Sequence, residues 1–278
     1  SDADGKWGNV FDMEVIPIHV ILLPDGQVLA YGSDNKGKQG GELYYEVWDV
    51  ESGDHHLSGN HNLLMHSTKV DTFCSTLSMD VTTGNVLIMG GDDGYNNGVK
   101  DALEFNSRTL EIRKHPEGDM HYARWYGTSI NLPNGDVFVI GGESGTKNEA
   151  SSIPEVWSPD TGFVEKRGAQ VPAIARSNFR KRFWFYPHTY VNSSGEIIVI
   201  IGNGRNTDVY LIDVEGNGSI DKIGTKPFDS NKLGASIMYN IDRVAFLADD
   251  GALWVADLSD SREPIFTQKT NIGRGRTN

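Results

Sequence analysis

The chain has 278 residues, of which 38% are hydrophobic and 23% charged, a balance typical of a folded globular protein. Its net charge of −13 argues against a nucleic-acid partner and against an anionic membrane surface, because both require a basic face. No apolar run approaches the roughly 18 residues of a membrane span, so a membrane partner is not expected. The 32 glycines, 10% aromatic residues and short apolar runs indicate an all-β protein.

Five segments share one plan in chain order: an apolar strand, a tight turn, and a second, almost wholly apolar strand that ends in a small residue, usually glycine. Asp-Gly or Asn-Gly between apolar runs is a strong hairpin signal. Strands without polar alternation are expected to be buried on both faces. The hairpin turns fall at residues 24–26, 83–85, 133–135 and 192–195, with a weaker fifth unit at 234–248.

Each hairpin is followed by a third strand that ends in a polar turn, as at Trp48-Asp49 and Trp157-Ser158. The glycines that close the second strands, at 32, 91, 142 and 202, recur at intervals of 51 to 60 residues. A four-stranded unit of about 50 residues is typical of a kelch blade. The sequence therefore predicts a kelch-type β-propeller, with a Greek-key sandwich as the alternative. The predicted blades span residues 15–66, 67–120, 121–178, 179–230 and 231–272, and a sixth begins near 273.

Two motifs carry a more specific resemblance. Asp71-Thr72-Phe73-Cys74 precedes a hairpin that ends at Gly90-Gly91, and Ala123-Arg124-Trp125-Tyr126 precedes one that ends at Gly141-Gly142. Together with Gly5-Lys6-Trp7-Gly8 and Ile16-Pro17-Ile18-His19, they resemble the copper radical oxidases, the family of galactose oxidase and glyoxal oxidase. The resemblance is strongest over residues 1–145. It implies that about five of the seven blades of a propeller are present.

The resemblance also implies a chemistry. Cys74 Sγ would be bonded to a ring carbon of Tyr126, giving a protein-derived Cys-Tyr thioether that holds a tyrosyl radical beside copper. Copper and radical would each take one electron from a primary alcohol or aldehyde, and O₂ would leave as H₂O₂. Tyr126 would be a copper ligand. The remaining ligands of the family, a Tyr-His pair and a further histidine, would lie outside this chain.

Substrate contacts are less defined by the resemblance. The family's substrate arginine would correspond to Arg180 or Arg182, and His188 is a third candidate because it lies in a first strand. Galactose oxidase stacks a tryptophan over its thioether, whereas this sequence reads Gly142-Glu143-Ser144-Gly145 at that place. Galactose itself is therefore not the expected substrate.

Several side chains have ordinary structural interpretations. Cys74 could be an inert buried thiol and Tyr126 a core tyrosine. Arg124 is expected to support the tyrosine strand through hydrogen bonds rather than to contact substrate. The spacing of the histidines fits no metal site, so they are expected at the surface. They are His55, His56, His61 and His66. The acidic turns are expected to be solvated rather than to bind calcium. They contain Asp34, Asp92 and Asp93.

Three hypotheses follow. The first is a secreted copper radical oxidase, since residues 1–4 fit a mature N-terminus and Asn192 and Asn217 begin glycosylation triplets. The second is a catalytically inactive propeller that binds a protein or glycan. The third is a structural subunit. An open fan of blades would expose apolar faces, so a C-terminal segment or a second chain is expected to complete it.

Overall fold

A computed structural model of the chain describes residues 11–38, 43–50, 60–146, 149–177, 183–202, 207–226, 233–248 and 251–271. Within them, the fold is five four-stranded antiparallel sheets, each with its strands in sequence order. The all-β prediction is confirmed. The predicted start of a sixth unit near residue 273 lies outside the described residues.

The five sheets are numbered as blades in chain order. Blade 1 contains β1 (His19–Leu22), β2 (Gln27–Tyr31), β3 (Tyr44–Asp49) and β4 (His61–Met65). Blade 2 contains β5 (Thr76–Met79), β6 (Val86–Met89), β7 (Ala102–Asn106) and β8 (Glu111–Lys114). Blade 3 contains β9 (Trp125–Asn131), β10 (Val137–Glu143), β11 (Glu155–Ser158) and β12 (Gly162–Glu165).

Two blades complete the described fold. Blade 4 contains β13 (His188–Val191), β14 (Ile197–Gly202), β15 (Thr207–Asp213) and β16 (Ser219–Lys226). Blade 5 contains β17 (Leu233–Asn240), β18 (Arg243–Ala248), β19 (Ala252–Asp257) and β20 (Ile265–Asn271). A 3-10 turn (Arg167–Ala169) and a single helical turn, α1 (Pro172–Ala175), connect blades 3 and 4. No helix in the described ranges has the length and apolar content of a membrane span.

Hydrophobic contact between successive blades forms the core. The second strands of blades 2, 3 and 4 are buried on both faces, as the unbroken apolar runs predict: β6, β10 and β14 contain no exposed or half-exposed residue. In blade 5, β18 instead alternates buried and partly exposed residues. Separate clusters join blades 1 and 2, 2 and 3, 3 and 4, and 4 and 5. The third-strand tryptophans are expected to pack between blades; Trp157 does so in the cluster of blades 2 and 3, whereas Trp48 stacks on His61 of its own blade.

The first strands of four blades, and the turn before the first strand of blade 2, meet at a common axis. Side chains from β1, β9, β13 and β17, together with Cys74 just before β5, line one pocket. This arrangement, five consecutive meanders with their first strands innermost, is that of a β-propeller.

The sequence over residues 71–80 predicts one continuous strand, but this prediction was wrong because β5 begins only at Thr76. The Asp71 carboxylate accepts the Phe73 amide at 2.9 Å, and the Ser75 amide donates to the Thr72 carbonyl at 3.1 Å. These bonds form an Asx-type turn in place of the ladder. Cys74 therefore lies in the turn before the strand and not on the strand.

Candidate active site at the propeller axis

Three residues occupy equivalent positions where blades 2, 3 and 4 begin. Cys74, Tyr126 and Tyr186 have φ angles of 54°, 66° and 40°, the left-handed region that residues with a β-carbon rarely adopt. Such strain costs on the order of 1–3 kcal/mol per residue and concentrates at functional sites. Cys74 and Tyr126 were predicted from the sequence, but Tyr186 was not. Its equivalence to them lies in a shared backbone conformation, which the sequence does not show.

Backbone hydrogen bonds join the three positions directly. The Tyr126 amide donates to the Cys74 carbonyl at 2.8 Å, and the Tyr186 amide donates to the Tyr126 carbonyl at 2.9 Å. Residues 52 and 60 positions apart are thus connected in series. The backbone alone holds the three side chains next to one another.

The glycine pairs make this close approach possible. Gly91 donates its amide to the Arg124 carbonyl at 3.0 Å, and Gly142 donates to the Trp184 carbonyl at 2.9 Å. A β-carbon on Gly91 would lie 2.0 Å from the Asp71 carbonyl oxygen. Only glycine fits at such a contact. Each glycine pair therefore allows the segment that begins the next blade to pack directly against the blade that contains the pair.

Arg124 supports β9, the strand that contains Tyr126, through hydrogen bonds, as predicted. Its side chain is fully buried and donates to the Glu155 carboxylate at 2.9 Å. The guanidinium also donates to three backbone carbonyls, those of Gly141, Ser151 and Ile153. A buried, paired guanidinium of this kind orients its strand, and Arg124 is not among the residues that line the pocket at the axis.

Cys74 is the free cysteine of the chain, and it is buried. Burial raises the pKa of its thiol, and the neighbouring Tyr126 and Tyr186 side chains oppose that rise. The thiol therefore faces two phenols. Burial also raises the pKa of Tyr186, with a second contribution from Cys74, so both groups are neutral at pH 7.

Aromatic rings surround Tyr126. Phe185 stacks on it with the centroids 4.2 Å apart and the planes at 27°, and Trp125 packs at 4.4 Å. The edge of Tyr186 meets the Tyr126 ring at 5.2 Å, nearly perpendicular. Glu143, near the place of the galactose oxidase tryptophan, instead accepts the amides of Gly98 and Gly145. The ring that covers Tyr126 here is Phe185.

The pocket at the axis, hereafter the axial pocket, has a volume of about 760 Å³. Its described lining contains no Asp, Glu, Lys or Arg. His188, a predicted substrate contact, does line it, and its Nδ1 shares a hydrogen bond of 2.9 Å with Ser236. The Tyr190 hydroxyl donates to the same Ser236 oxygen at 2.6 Å.

His19 is a second pocket residue that the sequence analysis did not single out as functional. Burial lowers its pKa to about 4, so the imidazole is neutral at physiological pH. Its Nε2 is enclosed without a hydrogen-bond partner among the described residues. The ring stacks on Tyr31 at 4.9 Å, and the Tyr31 hydroxyl shares a hydrogen bond of 2.9 Å with Ser75, next to Cys74.

The other predicted candidates have mixed outcomes. Arg180 and Arg182 lie outside the described residues, as do His55 and His56. His66 is buried and hydrogen-bonds Thr68, and His61 pairs with Glu46, so the expectation of a surface position was wrong for both. The carboxylates of Asp34, Asp92 and Asp93 accept backbone amides of their own loops. These carboxylates therefore stabilise turns. Asp92 is buried, so the expectation of a solvated turn was wrong for that residue.

The donor types at the axial pocket suit copper. Cu(II) prefers imidazole and oxygen ligands, and the pocket contains the Tyr126 and Tyr186 phenols and the neutral His19 imidazole. The enclosed Nε2 of His19 and hydroxyl of Tyr186 lack partners of ordinary geometry among the described residues. Those residues contain no group of three or more His, Cys, Asp or Glu that could hold a metal. A complete copper site would thus need ligands besides those described.

Comparison with known proteins places the chain in context. It is 32% identical over 163 residues to galactose oxidase of Gibberella zeae, a match that covers 56% of this chain and 22% of that protein. The fold resembles that of a fungal alcohol oxidase of the AA5 family in complex with copper, with a TM-score of 0.77, 18% identity, and coverage of 98% of this chain and 57% of that one. A putative 6-phosphogluconolactonase from Bacteroides uniformis is more distant, with a TM-score of 0.55, 11% identity, and coverage of 93% and 72%. No family model matches the chain.

Proposed function

Because this chain is a relative of galactose oxidase in the copper radical oxidase family, we propose that it carries the thioether half of a copper-dependent oxidase site. The enzyme would oxidise a primary alcohol or an aldehyde with O₂ and release H₂O₂. The observation that carries this proposal is that the buried Cys74 and Tyr126 are joined by a backbone hydrogen bond of 2.8 Å and line the axial pocket together. The matched segment spans about a fifth of the curated relative, so the activity is proposed for the complete protein.

In this proposal, Cys74 and Tyr126 have distinct roles. Cys74 Sγ forms the thioether with the Tyr126 ring, which makes the phenol easier to oxidise, and the Tyr126 oxygen is the copper ligand that this chain provides. Copper and the oxidised phenol together supply a two-electron oxidant. The substrate loses two electrons and two protons, and O₂ accepts both to become H₂O₂.

The axial pocket is the proposed substrate site. A described lining free of charged side chains suits a neutral alcohol or a hydrated aldehyde. The His188–Ser236 pair offers hydrogen bonds to a substrate hydroxyl, while Phe185 and Pro187 form an apolar wall. Arg180 and Arg182 stay substrate candidates from sequence alone.

A further segment or second chain would complete the ring. Apolar side chains are exposed on the outer face of blade 1, where Val20 and Leu22 are 53% and 62% exposed. They are equally exposed on blade 5, where Ile237 and Tyr239 are 65% and 56% exposed. Exposed apolar patches of this kind mark interfaces. Hydrogen exchange of β1 and β17 should be slower when that segment or second chain is present than in the 278 residues alone.

Intact mass spectrometry tests the proposal. The protein, produced without copper and then given Cu(II) and O₂, should lose two hydrogens as the thioether forms. Peptide mapping should locate the bond between residues 74 and 126. Tyr126→Phe is the matched control and should keep its full mass. An unchanged mass in fully copper-loaded protein would contradict the proposed thioether cofactor. H₂O₂ release with simple alcohols and aldehydes, as expected of a secreted oxidase, then tests the activity.

A further inference from the structure

Tyr31 is a buried tyrosine of blade 1 to which the proposed function gives no role. It is 1% exposed and belongs to the hydrophobic cluster that joins blades 1 and 2. His19 lies directly opposite it on β1, and the two rings stack with their centroids 4.9 Å apart and their planes at 28°. The strand, the cluster and the stacking contact together fix the position of the Tyr31 ring and of its hydroxyl.

The Tyr31 hydroxyl connects blade 1 to the segment that begins blade 2. It shares a hydrogen bond of 2.9 Å with the side-chain oxygen of Ser75, which lies 44 positions later in the chain. Ser75 is completely buried, as is almost all of Tyr31. Removing either hydroxyl would therefore leave the other one buried without this partner, which is costly.

Ser75 directly follows Cys74, the residue whose conformation the proposed chemistry depends on. The φ of 54° at Cys74 is unfavourable for a residue with a β-carbon, so surrounding contacts must maintain it. One such contact is the hydrogen bond of 2.8 Å from the Tyr126 amide to the Cys74 carbonyl. The bond between Tyr31 and Ser75 is a second contact, which attaches the following residue to blade 1.

We propose that Tyr31 is a positioning residue whose hydrogen bond to Ser75 anchors the turn containing Cys74 and so holds the Cys74 side chain at the axial pocket. The anchoring stands on contacts within this chain alone. Its consequence, faster formation of the thioether with Tyr126, rests on the proposed function.

Tyr31 takes no part in the covalent step itself. The S–H bond of Cys74 and one ring C–H bond of Tyr126 break, and an S–C bond forms. Two protons and two electrons leave, and O₂ accepts them to give H₂O₂. The anchored turn raises the fraction of time that the sulfur spends within reach of the reacting carbon.

The first experiment needs neither copper nor activity. Alkylation by iodoacetamide, followed at Cys74 by peptide mapping, reports how often the turn opens. In complete protein prepared without copper, Tyr31→Phe should raise the alkylation rate at Cys74 roughly fivefold, because the released turn opens more often. This factor corresponds to a hydrogen bond of about 1 kcal/mol.

Tyr45→Phe is the matched control. Tyr45 is 2% exposed, belongs to the same cluster as Tyr31, and donates its hydroxyl to the Leu110 carbonyl of blade 2 at 2.8 Å. Each variant loses one hydroxyl that joins blades 1 and 2, so a loss of general stability would affect both alike. Alkylation in Tyr45→Phe should match the wild type. An unchanged rate in Tyr31→Phe, or the same increase in both variants, would overturn the proposal.

Ser75→Ala tests the same hydrogen bond from its other end. This variant should also speed alkylation at Cys74, and the double variant with Tyr31→Phe should react no faster than the faster single variant. Fully additive increases would show that the two hydroxyls act separately, and the anchoring role would then be wrong.

The last experiment measures the consequence for the cofactor. After addition of Cu(II) and O₂, the two-hydrogen mass loss should be roughly fivefold slower in Tyr31→Phe than in the wild type and in Tyr45→Phe. Equal rates in all three proteins would overturn the positioning role and leave the proposed function intact. No mass loss in the wild type would overturn the proposed function, and the alkylation rates would still decide whether Tyr31 anchors the turn.

Discussion

The ring of Phe185 lies on the ring of Tyr126, with centroids 4.2 Å apart and planes tilted by 27°. The two residues are brought together by the hydrogen bond from the Tyr186 amide to the Tyr126 carbonyl. Phe185 also lines the axial pocket, so it separates part of the Tyr126 ring from solvent. In this chain, the cover over the proposed radical comes from the start of the next blade.

We therefore predict that Phe185→Leu shortens the lifetime of the oxidised phenol. The substitution removes a stacking contact worth about 0.5–1.5 kcal/mol and admits water to the ring. Decay of the radical, followed by absorption or electron paramagnetic resonance after oxidation, should be faster. Phe183→Leu is the control, because Phe183 packs in the core of blades 3 and 4. Equal decay rates in both variants would contradict the shielding role.

The Arg124–Glu155 pair is predicted to stabilise the fold strongly. Both side chains are fully buried, so removing one partner leaves an uncompensated charge, at a cost of about 3–5 kcal/mol. Arg124→Met should lower the free energy of unfolding by that order in urea denaturation. The double variant with Glu155→Gln should be less destabilised than the sum of the single variants. Strict additivity would mean that the two side chains are not coupled.

Gly91 and Gly94 offer a matched pair for the close approach of blades. A β-carbon on Gly91 would lie 2.0 Å from a backbone oxygen, whereas one on Gly94 would meet nothing within 4 Å, although both glycines have positive φ. Gly94→Ala should therefore lower the free energy of unfolding by about 1 kcal/mol, because only the unfavourable backbone conformation of alanine contributes. Gly91→Ala should cost several-fold more and should slow thioether formation. Similar melting temperatures for the two variants would refute this account.

Stability should fall on mild acidification. Burial lowers the pKa of His66 from 6.5 to about 4, so between these values the unfolded chain binds a proton that the folded chain does not. The free energy of unfolding should thus drop as the pH falls from 6.5 towards 4, with a slope of about 1.4 kcal/mol per pH unit from this residue. Above pH 6.5 the contribution is constant. His66→Asn should reduce this slope. Burial also lowers the pKa of His19, so the unfolded chain should bind a second proton there over the same pH range. An identical slope in wild type and His66→Asn would contradict this assignment.

The sequence by itself determined the sheets of this protein. Each hairpin is specified locally, by an apolar run, a turn residue that tolerates positive φ and a second apolar run, as at Gly26 and Gly135. The buried second strands follow from the absence of polar alternation. Cys74 and Tyr126 could be paired from sequence because their motifs resemble those of a known family.

The tertiary structure decided what surrounds that pair. Tyr186 and His19 lie 112 and 55 residues from Cys74 in the sequence. Tyr186 stands in no motif that distinguishes it from a core residue, and the motif that contains His19 assigns the histidine no role. Their position at the axial pocket depends on contacts between blades, which are non-local and leave no periodic signal. The turn at Cys74 likewise results from hydrogen bonds of Asp71 that compete with the strand ladder. Local chemistry therefore determines the blades, and packing between them determines which side chains meet at the axis.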